Sequence, residues 1–452
     1  MLIITNKYTS RIFYINTLGE KKMDRRVLKI LIISISLFIL ITACSNNKET
    51  LKFDGGQDIK AKLKIMAVGE KDSLMETYGD MFRSKYPNIE IEFVNKYTQS
   101  NFDKTIEEEK PDVFVLSLEE YKQLVQKDKL YDLSLMFSND VFDLEGIHPG
   151  IVESLRQMGN GRLFGLAPGF QSKAIYYNKD IFDKYGIPYP YDGMTWEEVI
   201  QLAKRFPTED GISGLYMQDF YTFFGQIEWS ENLKIVNEKE MKVVIDSKSY
   251  RDIFEMILDA YQSKAVEIPF LDSFYVYDPF ITGQSAMTMD YYYYINNKIN
   301  WAQAEKGSNF NLNWDVASAP VDDSDRELSP YFMFGGIFSV HIDSEQKQAA
   351  WEFVKFVNSE EYSKANSRTA GFNPTTRTKN IFNPEGKRME AFYSLKPNLF
   401  RNYVHWEVLP KEFGKILDII NSEGKAAMVG AKTLDEAIAS MQERGQLLLD
   451  QK

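Results

Sequence analysis

Two stretches of the sequence combine aromatic rings with carboxylate and amide side chains. One is MQDFYTFFGQIEW at residues 217–229, and the other is MDYYYYINN at residues 289–297. Flat rings can stack on the apolar C–H faces of a sugar, while carboxylates and amides can hydrogen-bond to its hydroxyls. The two stretches therefore indicate a carbohydrate-binding surface, although each tyrosine in them also suits a core or rim position.

The four consecutive tyrosines can serve both purposes at once. Because side chains alternate along an extended chain, Tyr291 and Tyr293 share one face, and Tyr292 and Tyr294 share the other. We therefore expect one pair to pack inward while the other faces a cleft.

Other kinds of site find little support in the sequence. Cys44 is the only cysteine, and the histidines at 148, 341 and 405 are isolated from one another, so no paired metal-ligand spacing arises. The sequence contains no Gly-x-Ser-x-Gly elbow, His-Glu-x-x-His pair or phosphate-binding loop, which removes several enzyme classes. We expect no cofactor, no metal and no catalytic residue. The 65 acidic residues still allow the carboxylate pair of a glycoside hydrolase or lyase.

Length and charge limit the class of protein. A chain of 452 residues with 44% hydrophobic content exceeds the roughly 250–300 residues that one core usually supports, so the sequence predicts two domains. The formal net charge of −12 argues against a nucleic-acid partner and against adsorption to anionic lipid.

The N-terminal region contains an apolar run that ends at the lone cysteine. Residues 30–43 carry no charge and follow the basic residues Arg25, Arg26 and Lys29. As a helix the run would be about 21 Å long, which is short for a membrane span but typical of a signal peptide. The segment resembles a bacterial lipoprotein signal with the lipobox ITAC. This resemblance implies a signal peptide over residues 1–43, in which residues 1–22 are a candidate over-extended start, and lipidation at Cys44. The polar residues 44–60 then form a flexible tether.

The first part of the globular region alternates strands and helices. KLKIMAVG, IEIEFVN and PDVFVLS are predicted strands, with helical spacing between them. This order indicates a mostly parallel α/β sheet, whose functional loops lie at the carboxyl ends of the strands, here residues 69–71 and 117–119. Further on, Gly186 is predicted to end a helix. Thr195 and Glu198 have the spacing of a capping box that begins the next helix.

The order of later motifs resembles one known family. A strand ending in YYN is followed by KDIFDKYGI and TWEEVIQLAKRF, then by ITGQSAMTMD at residues 281–290 and by the Gly-Gly strand and AAWEFVKF helix within residues 334–376. From about residue 61 to its end, the chain resembles family 1 extracellular solute-binding proteins, the lipid-anchored receptors of Gram-positive ABC importers.

The resemblance implies an α/β, two-lobed, periplasmic-binding-protein-like fold, in which a hinged cleft separates two mostly parallel sheets flanked by helices. Lobe 1 would comprise residues 61–168 and 337–385, and lobe 2 residues 172–334 and 388–452. The glycines of two crossing segments, Gly169, Gly335 and Gly336, would act as hinges; ordinary tight turns are the alternative interpretation. The resemblance also implies a monomeric, non-catalytic receptor that is anchored on the outer face of the cell membrane and delivers a carbohydrate to a permease.

Loops that match those of the related maltodextrin receptors imply a set of ligand-binding residues. Lobe 1 would contribute Glu70, Lys71 and Glu119, the crossing Phe170 and Gln171, and lobe 2 Asp219, Phe220, Tyr221, Asp290, Tyr291, Tyr293 and Trp406. Tyr-rich sequence replaces the Asn-Gly-Pro-Trp of those receptors, and the lobe 1 loop lacks their aromatic residue. The alternatives of a receptor for a peptide, polyamine or polyol phosphate, or of a surface glycoside hydrolase or lyase, therefore stay open.

Overall fold

The computed structural model describes residues 58–95, 102–137, 142–269, 278–369, 373–383, 385–398 and 413–451. The signal peptide, most of the tether, Cys44 and Trp406 lie outside these residues. Within the described part of the chain, no helix is both long enough and apolar enough to cross a bilayer.

Fifteen strands are found among the described residues. They are β1 (Ala61–Ala67), β2 (Ile89–Asn95), β3 (Val113–Leu116), β4 (Phe170–Gln171), β5 (Lys173–Asn178), β6 (Ser213–Tyr216), β7 (Val236–Asn237), β8 (Lys242–Val243), β9 (Val266–Glu267), β10 (Ser285–Tyr291), β11 (Trp314–Ser318), β12 (Leu328–Ser329), β13 (Met333–Phe334), β14 (Ile337–Val340) and β15 (Lys396–Pro397).

The described α-helices, in chain order, are α1 (Lys71–Leu74), α2 (Asp80–Lys85), α3 (Phe102–Glu109), α4 (Leu118–Gln126), α5 (Ser134–Phe137), α6 (Pro149–Met158), α7 (Lys179–Tyr185), α8 (Trp196–Ala203), α9 (Phe220–Ser230), α10 (Lys248–Gln262), α11 (Trp301–Lys306), α12 (Lys347–Val357), α13 (Glu360–Thr369), α14 (Phe413–Met428) and α15 (Leu434–Leu449). The two predicted helix ends are confirmed. Gly186 ends α7 in the left-handed region with φ 64°. Thr195 and Glu198 form a capping box at the start of α8.

Two sheets form the frame of the fold. The first has the order β14-β3-β1-β2, in which β1 runs parallel to β2 and β3, and β14 is antiparallel to β3. The second has the order β11-β5-β10-β6-β9, in which β6 runs parallel to both β10 and β9, whereas β5 is antiparallel to β10 and β11. The α/β fold class predicted from the sequence is confirmed. The reversed strand β5 places its first residue beside the last residue of β10.

Each sheet is covered by apolar helix faces. Phe114 of the first sheet and Trp351 and Phe353 of α12 are fully buried. Around the second sheet, α8, α9, α10, α14 and α15 contribute a continuous cluster of buried side chains. Burying apolar surface in this way supplies most of the driving force for folding.

Short segments of extended chain run between the two sheets. Strand β4 precedes β5 of the second sheet and pairs with β13, which precedes β14 of the first sheet. The Gly335 amide donates to the Gly169 carbonyl at 3.0 Å, and Gly169 also forms a β-bridge with Thr375. These segments therefore hydrogen-bond to one another where the chain passes between the sheets.

Candidate functional site

Two adjoining cavities open at the edge of the second sheet where β6 and β10 end and β5 begins. The first, which we call the aromatic chamber, has a volume of about 410 Å³ and is lined by Lys173, Tyr221, Thr222, Gly225, Gln226, Glu228, Trp229, Lys234, Ile235, Val236, Glu238, Tyr291, Tyr331, Met333, Phe413 and Leu417. The second, the polar chamber, has a volume of about 330 Å³ and is lined by Lys173, Tyr216, Met217, Gln218, Thr222, Gln226, Asp278, Thr288, Met289, Asp290, Tyr291, Tyr293, Tyr294, Asn297 and Lys298. The carboxyl ends of strands are the usual position of ligand sites in α/β sheets.

Helix α9 supplies one wall of the aromatic chamber. Its N-cap is Asp219, whose carboxylate accepts a hydrogen bond from the Thr222 amide at 2.7 Å. Tyr221, Gly225 and Trp229 follow at four-residue spacing and therefore lie on the same side of the helix. All three line the chamber.

Two rings of the aromatic chamber are held in place by hydrogen bonds from their polar edge atoms. The indole nitrogen of Trp229 donates to the Pro330 carbonyl at 2.7 Å. The Tyr331 hydroxyl donates to the main-chain carbonyl of Gln226 at 2.6 Å. Rings oriented before a ligand arrives lose less conformational freedom when it binds.

The four tyrosines at the end of β10 divide into two pairs. Tyr291 and Tyr293 are half-buried and stack on each other with their centroids 5.4 Å apart. Tyr292 and Tyr294 are 9% and 2% exposed. The Tyr294 hydroxyl lies 2.9 Å from a carboxylate oxygen of the buried Asp278. The division follows the predicted pairs, but extended geometry does not produce it, because β10 ends at Tyr291 and the chain then turns into a helix.

Two charged groups of opposite sign lie where the chambers meet. The Lys173 ammonium lies over the Tyr291 ring, 4.6 Å from its centroid, and 5.4 Å from that of Tyr331. Burial lowers the pKa of this ammonium to about 8, and the nearby Asp290 carboxylate opposes the shift. Burial raises the pKa of the Asp290 carboxyl to about 6, against the opposing effects of the Tyr291 amide and of Lys173. Both groups are mostly charged at neutral pH and sit among aromatic faces.

The structure brings together four of the side chains implied by the resemblance. Tyr221 and Tyr291 line the aromatic chamber, and Asp290, Tyr291 and Tyr293 line the polar chamber. Asp219 is near them in the chain but caps α9 and lines neither chamber. Its assignment as a ligand contact stays a prediction.

Two of the implied aromatic contacts are core residues instead. Phe220 is 1% exposed and stacks in parallel with Phe224 and Phe254, with centroids 6.2 and 6.3 Å away. Phe170 is fully buried, and its ring stacks on that of Phe332 at 4.9 Å. Neither residue lines a chamber in the described structure, and the assignment of these two side chains as ligand contacts stays a prediction.

The remaining implied contacts lie elsewhere. Glu70, Lys71 and Glu119 are exposed at the starts of α1 and α4, beyond β1 and β3 of the first sheet, and line neither chamber. Gln171 is half-buried in β4, where it pairs with Met333. The described structure does not bring these residues to the chambers, and their role in binding stays a prediction.

Of the three glycines assigned to hinges, Gly336 shows the clearest backbone requirement. Its φ is +130°, and a Cβ atom there would lie 2.9 Å from the Val115 side chain. L-residues rarely adopt such a φ. The Gly335 amide and the Gly169 carbonyl are joined by the hydrogen bond described above. Hinge motion at the three positions stays a prediction.

Several chamber residues, among them Lys173, Gln226, Trp229 and Tyr331, were not named as ligand contacts from the sequence, although Gln226 and Trp229 belong to the aromatic stretch at residues 217–229. Trp229 carried a usable signal, because it lies eight residues after Tyr221, a spacing that places both residues on one face if the stretch is helical. Lys173 carried none, since it reaches the site only through the pairing of β5 with β10. Among the described residues, no cluster of three or more His, Cys, Asp or Glu side chains could hold a metal ion.

Comparison with known proteins gives a family match over most of the chain. Residues 64–364 match the family described as bacterial extracellular solute-binding protein. Among solved structures, a family 1 extracellular solute-binding protein from Alicyclobacillus acidocaldarius is similar, with a TM-score of 0.62 at 16% identity over 86% of this chain and 98% of that chain.

Two further structures have related folds. The sugar-binding protein MalE from Xanthomonas citri has a TM-score of 0.58 at 15% identity, covering 86% of this chain and 97% of that chain. An ABC substrate-binding protein from Listeria monocytogenes, in complex with cycloalternan, has a TM-score of 0.50 at 20% identity, covering 87% of this chain and 100% of that chain. At these identities the structures show a shared two-lobed fold.

Proposed function

This chain belongs to the bacterial extracellular solute-binding protein family, and we propose that it is the carbohydrate receptor of an ABC importer. It captures a sugar, with an oligosaccharide as the expected form, and delivers it to the permease subunits in the membrane. The receptor makes and breaks no bond, in keeping with the transport role of its family.

The observation that carries this proposal is the composition of the aromatic chamber. The aromatic residues Tyr221, Trp229, Tyr291 and Tyr331 line it, together with Gln226 and Glu228. A sugar presents apolar faces and a hydroxyl rim, and this combination of side chains complements both. Two proteins of similar structure, a sugar-binding protein and an ABC substrate-binding protein in complex with cycloalternan, support the same ligand class.

We further propose that the two sheets mark two lobes with the boundaries expected from the sequence, and that the lobes close on the ligand by hinge motion. Glu70, Lys71 and Glu119 would then approach the chambers from the first lobe on closure. Small-angle X-ray scattering of the wild-type protein tests this, because closure reduces the radius of gyration on addition of a bound sugar. An unchanged radius with saturating sugar would contradict hinge closure.

Anchoring at Cys44 is also a proposal, supported by the lipobox sequence. Incorporation of labelled palmitate into the wild-type protein expressed in a Gram-positive host, and its loss in Cys44→Ser, is the expected result. Equal incorporation in both proteins would refute the assignment. Analytical ultracentrifugation of the unanchored protein tests the expectation of a monomer.

A thermal-shift screen tests the ligand class. The mature chain without its anchor is incubated with neutral gluco-, manno-, galacto- and xylo-oligosaccharides of one to four units, and in parallel with peptides, polyamines and polyol phosphates. A ligand at a hundredfold excess over its Kd stabilises the native state by about 2.7 kcal/mol, so a sugar is expected to raise Tm clearly. A rise with a peptide, polyamine or polyol phosphate but with no sugar would refute the carbohydrate proposal. Sustained release of reducing ends from a bound oligosaccharide would refute the non-catalytic role.

A further inference from the structure

The aromatic and polar chambers share a short boundary. Lys173, Thr222, Gln226 and Tyr291 line both cavities, and we call these four residues the junction. A ligand that fills both chambers must pass over them. The side chains of the junction can therefore contact the linkage between two units of a ligand.

Gln226 has unused hydrogen-bonding capacity at this boundary. Its residue is 6% exposed, and its Oε1 atom is buried with no hydrogen-bond partner among the described residues. Its position is nevertheless set, because its main-chain carbonyl accepts the Tyr331 hydroxyl at 2.6 Å. Buried polar groups are nearly always satisfied, so an unsatisfied amide beside a cavity indicates a group that a ligand completes.

Lys173 offers hydrogen-bond donors, whereas Gln226 offers an acceptor. Its ammonium has three donors and lies over the rings of Tyr291 and Tyr331. No carboxylate lies within ion-pair distance of it in the part of the chain that the structure describes. The junction thus offers donors from Lys173 and an amide from Gln226 within one boundary.

The charges around the polar chamber oppose a charged ligand. Its lining contains two cations, Lys173 and Lys298, and two carboxylates, Asp278 and Asp290. Because the two signs are present in equal number, a uronate or an amino sugar is attracted by one pair and repelled by the other, and it still loses the hydration of its own charge on entering a partly buried site. A neutral unit with hydroxyls that both donate and accept meets neither penalty.

We propose that the receptor binds a neutral oligosaccharide of at least two units, one in each chamber, and that Lys173 and Gln226 determine this specificity. The Lys173 ammonium donates to a ligand oxygen at the junction, and the Gln226 amide hydrogen-bonds to an adjacent hydroxyl. The inference rests on the proposed carbohydrate-binding function and extends it to the length and charge of the ligand.

Isothermal titration calorimetry of the mature, unanchored chain tests the two residues. The probe is the neutral disaccharide, among maltose, cellobiose, mannobiose, galactobiose and xylobiose, that binds the wild type most tightly. Lys173→Met and Gln226→Leu are each expected to raise its Kd at least fivefold. Lys179→Met and Gln201→Leu make the same changes at residues that line neither chamber, and are expected to stay within twofold of wild type.

The Tm of the ligand-free variants separates binding from structure. Because Gln226 Oε1 has no partner, Gln226→Leu removes an unsatisfied buried acceptor. Its Tm is expected to equal or exceed that of the wild type, even though its affinity falls. A lower Tm together with a Kd raised less than fivefold would mean that the side chain has a structural role, and would overturn its assignment.

Ligand length and charge supply the remaining tests. The wild type is expected to bind the neutral disaccharide at least fivefold more tightly than its monosaccharide, and at least fivefold more tightly than the same disaccharide carrying a glucuronate or a glucosamine unit. A smaller ratio in the first comparison overturns the two-chamber assignment, and a smaller ratio in the second overturns the preference for a neutral ligand. If the wild type binds no carbohydrate at all, both the proposed function and this inference are refuted. If it binds one but Lys173→Met and Gln226→Leu bind within fivefold of wild type, only the inference falls.

Discussion

Phe220 and Tyr221 are neighbours in the chain, and we predict that replacing them by alanine has opposite consequences. Phe220 is 1% exposed and lies in an aromatic stack with Phe224 and Phe254, whereas Tyr221 is 39% exposed at the aromatic chamber. The first substitution should reduce stability, and the second should reduce affinity for sugar.

The magnitudes follow from what each side chain contacts. Truncating a fully buried phenylalanine typically costs about 3–5 kcal/mol, and the stack leaves the space around Phe220 little freedom to collapse. Losing a ring contact at an exposed site costs about 0.5–1.5 kcal/mol. Since 1.4 kcal/mol corresponds to a tenfold change in Kd, Tyr221→Ala should weaken sugar binding by roughly two- to tenfold.

The two effects are measured separately on the same preparations. Guanidinium titration gives the free energy of unfolding, and a shifted midpoint with an unchanged slope indicates a change in stability alone. Calorimetric titration gives Kd for the neutral disaccharide that the wild type binds. Tyr221→Phe, which keeps the ring, serves as the control for Tyr221→Ala and should retain most of the affinity.

One result would refute this reasoning directly. If Phe220→Ala unfolded at the wild-type midpoint but bound sugar at least tenfold more weakly, Phe220 would be a ligand contact and its placement in the core would be wrong. Wild-type affinity in Tyr221→Ala would remove the aromatic chamber from the binding site.

Three further predictions concern the backbone and the charges. Gly336→Ala should lower the free energy of unfolding by about 1–3 kcal/mol, because φ at this residue is +130°. The control Gly414→Ala lies in a helix, where the added Cβ meets no atom within 4 Å apart from its chain neighbours and the backbone of its own helix, and it should raise the free energy of unfolding by about 0.5–1 kcal/mol. Equal effects of the two substitutions in denaturant titrations would contradict the backbone argument. Burial raises the pKa of Asp290 to about 6, and the ionised carboxylate accepts hydrogen bonds more strongly than the protonated form. Sugar affinity should therefore fall between pH 7 and pH 5, and Asp290→Asn should flatten this pH profile. A profile that the substitution leaves unchanged would exclude Asp290 as its cause. Burial lowers the pKa of Lys173 to about 8 from its ordinary value of 10.5, so the unfolded chain binds more protons between those pH values and the free energy of unfolding should rise with pH across that window. Denaturant midpoints at pH 8 and pH 10 measure this rise, which Lys173→Met should reduce. An equal rise in both proteins would show that Lys173 does not cause it.

Local structure could be predicted from the sequence where it depends on residues only a few positions apart. Gly186 ends α7 because the chain needs a left-handed residue there, and Thr195 begins α8 because its hydroxyl and the Glu198 carboxylate satisfy each other's free amides. The strands IEIEFVN and SKAIYYN were predictable for the same reason, since alternation and β-branched content act over adjacent positions. The order of such elements also sufficed to indicate the family.

The composition of the site depended on contacts between residues far apart in the chain. Lys173 reaches the chambers because β5 runs antiparallel to β10 and places it beside Tyr291. Phe220 belongs to the core, although its sequence neighbours are suited to binding, because α9 turns that side toward α10. Burial and register are set by which helix face and which strand edge meet in space, so the amino-acid sequence determined the chemical character of this site and the tertiary structure decided which side chains form it.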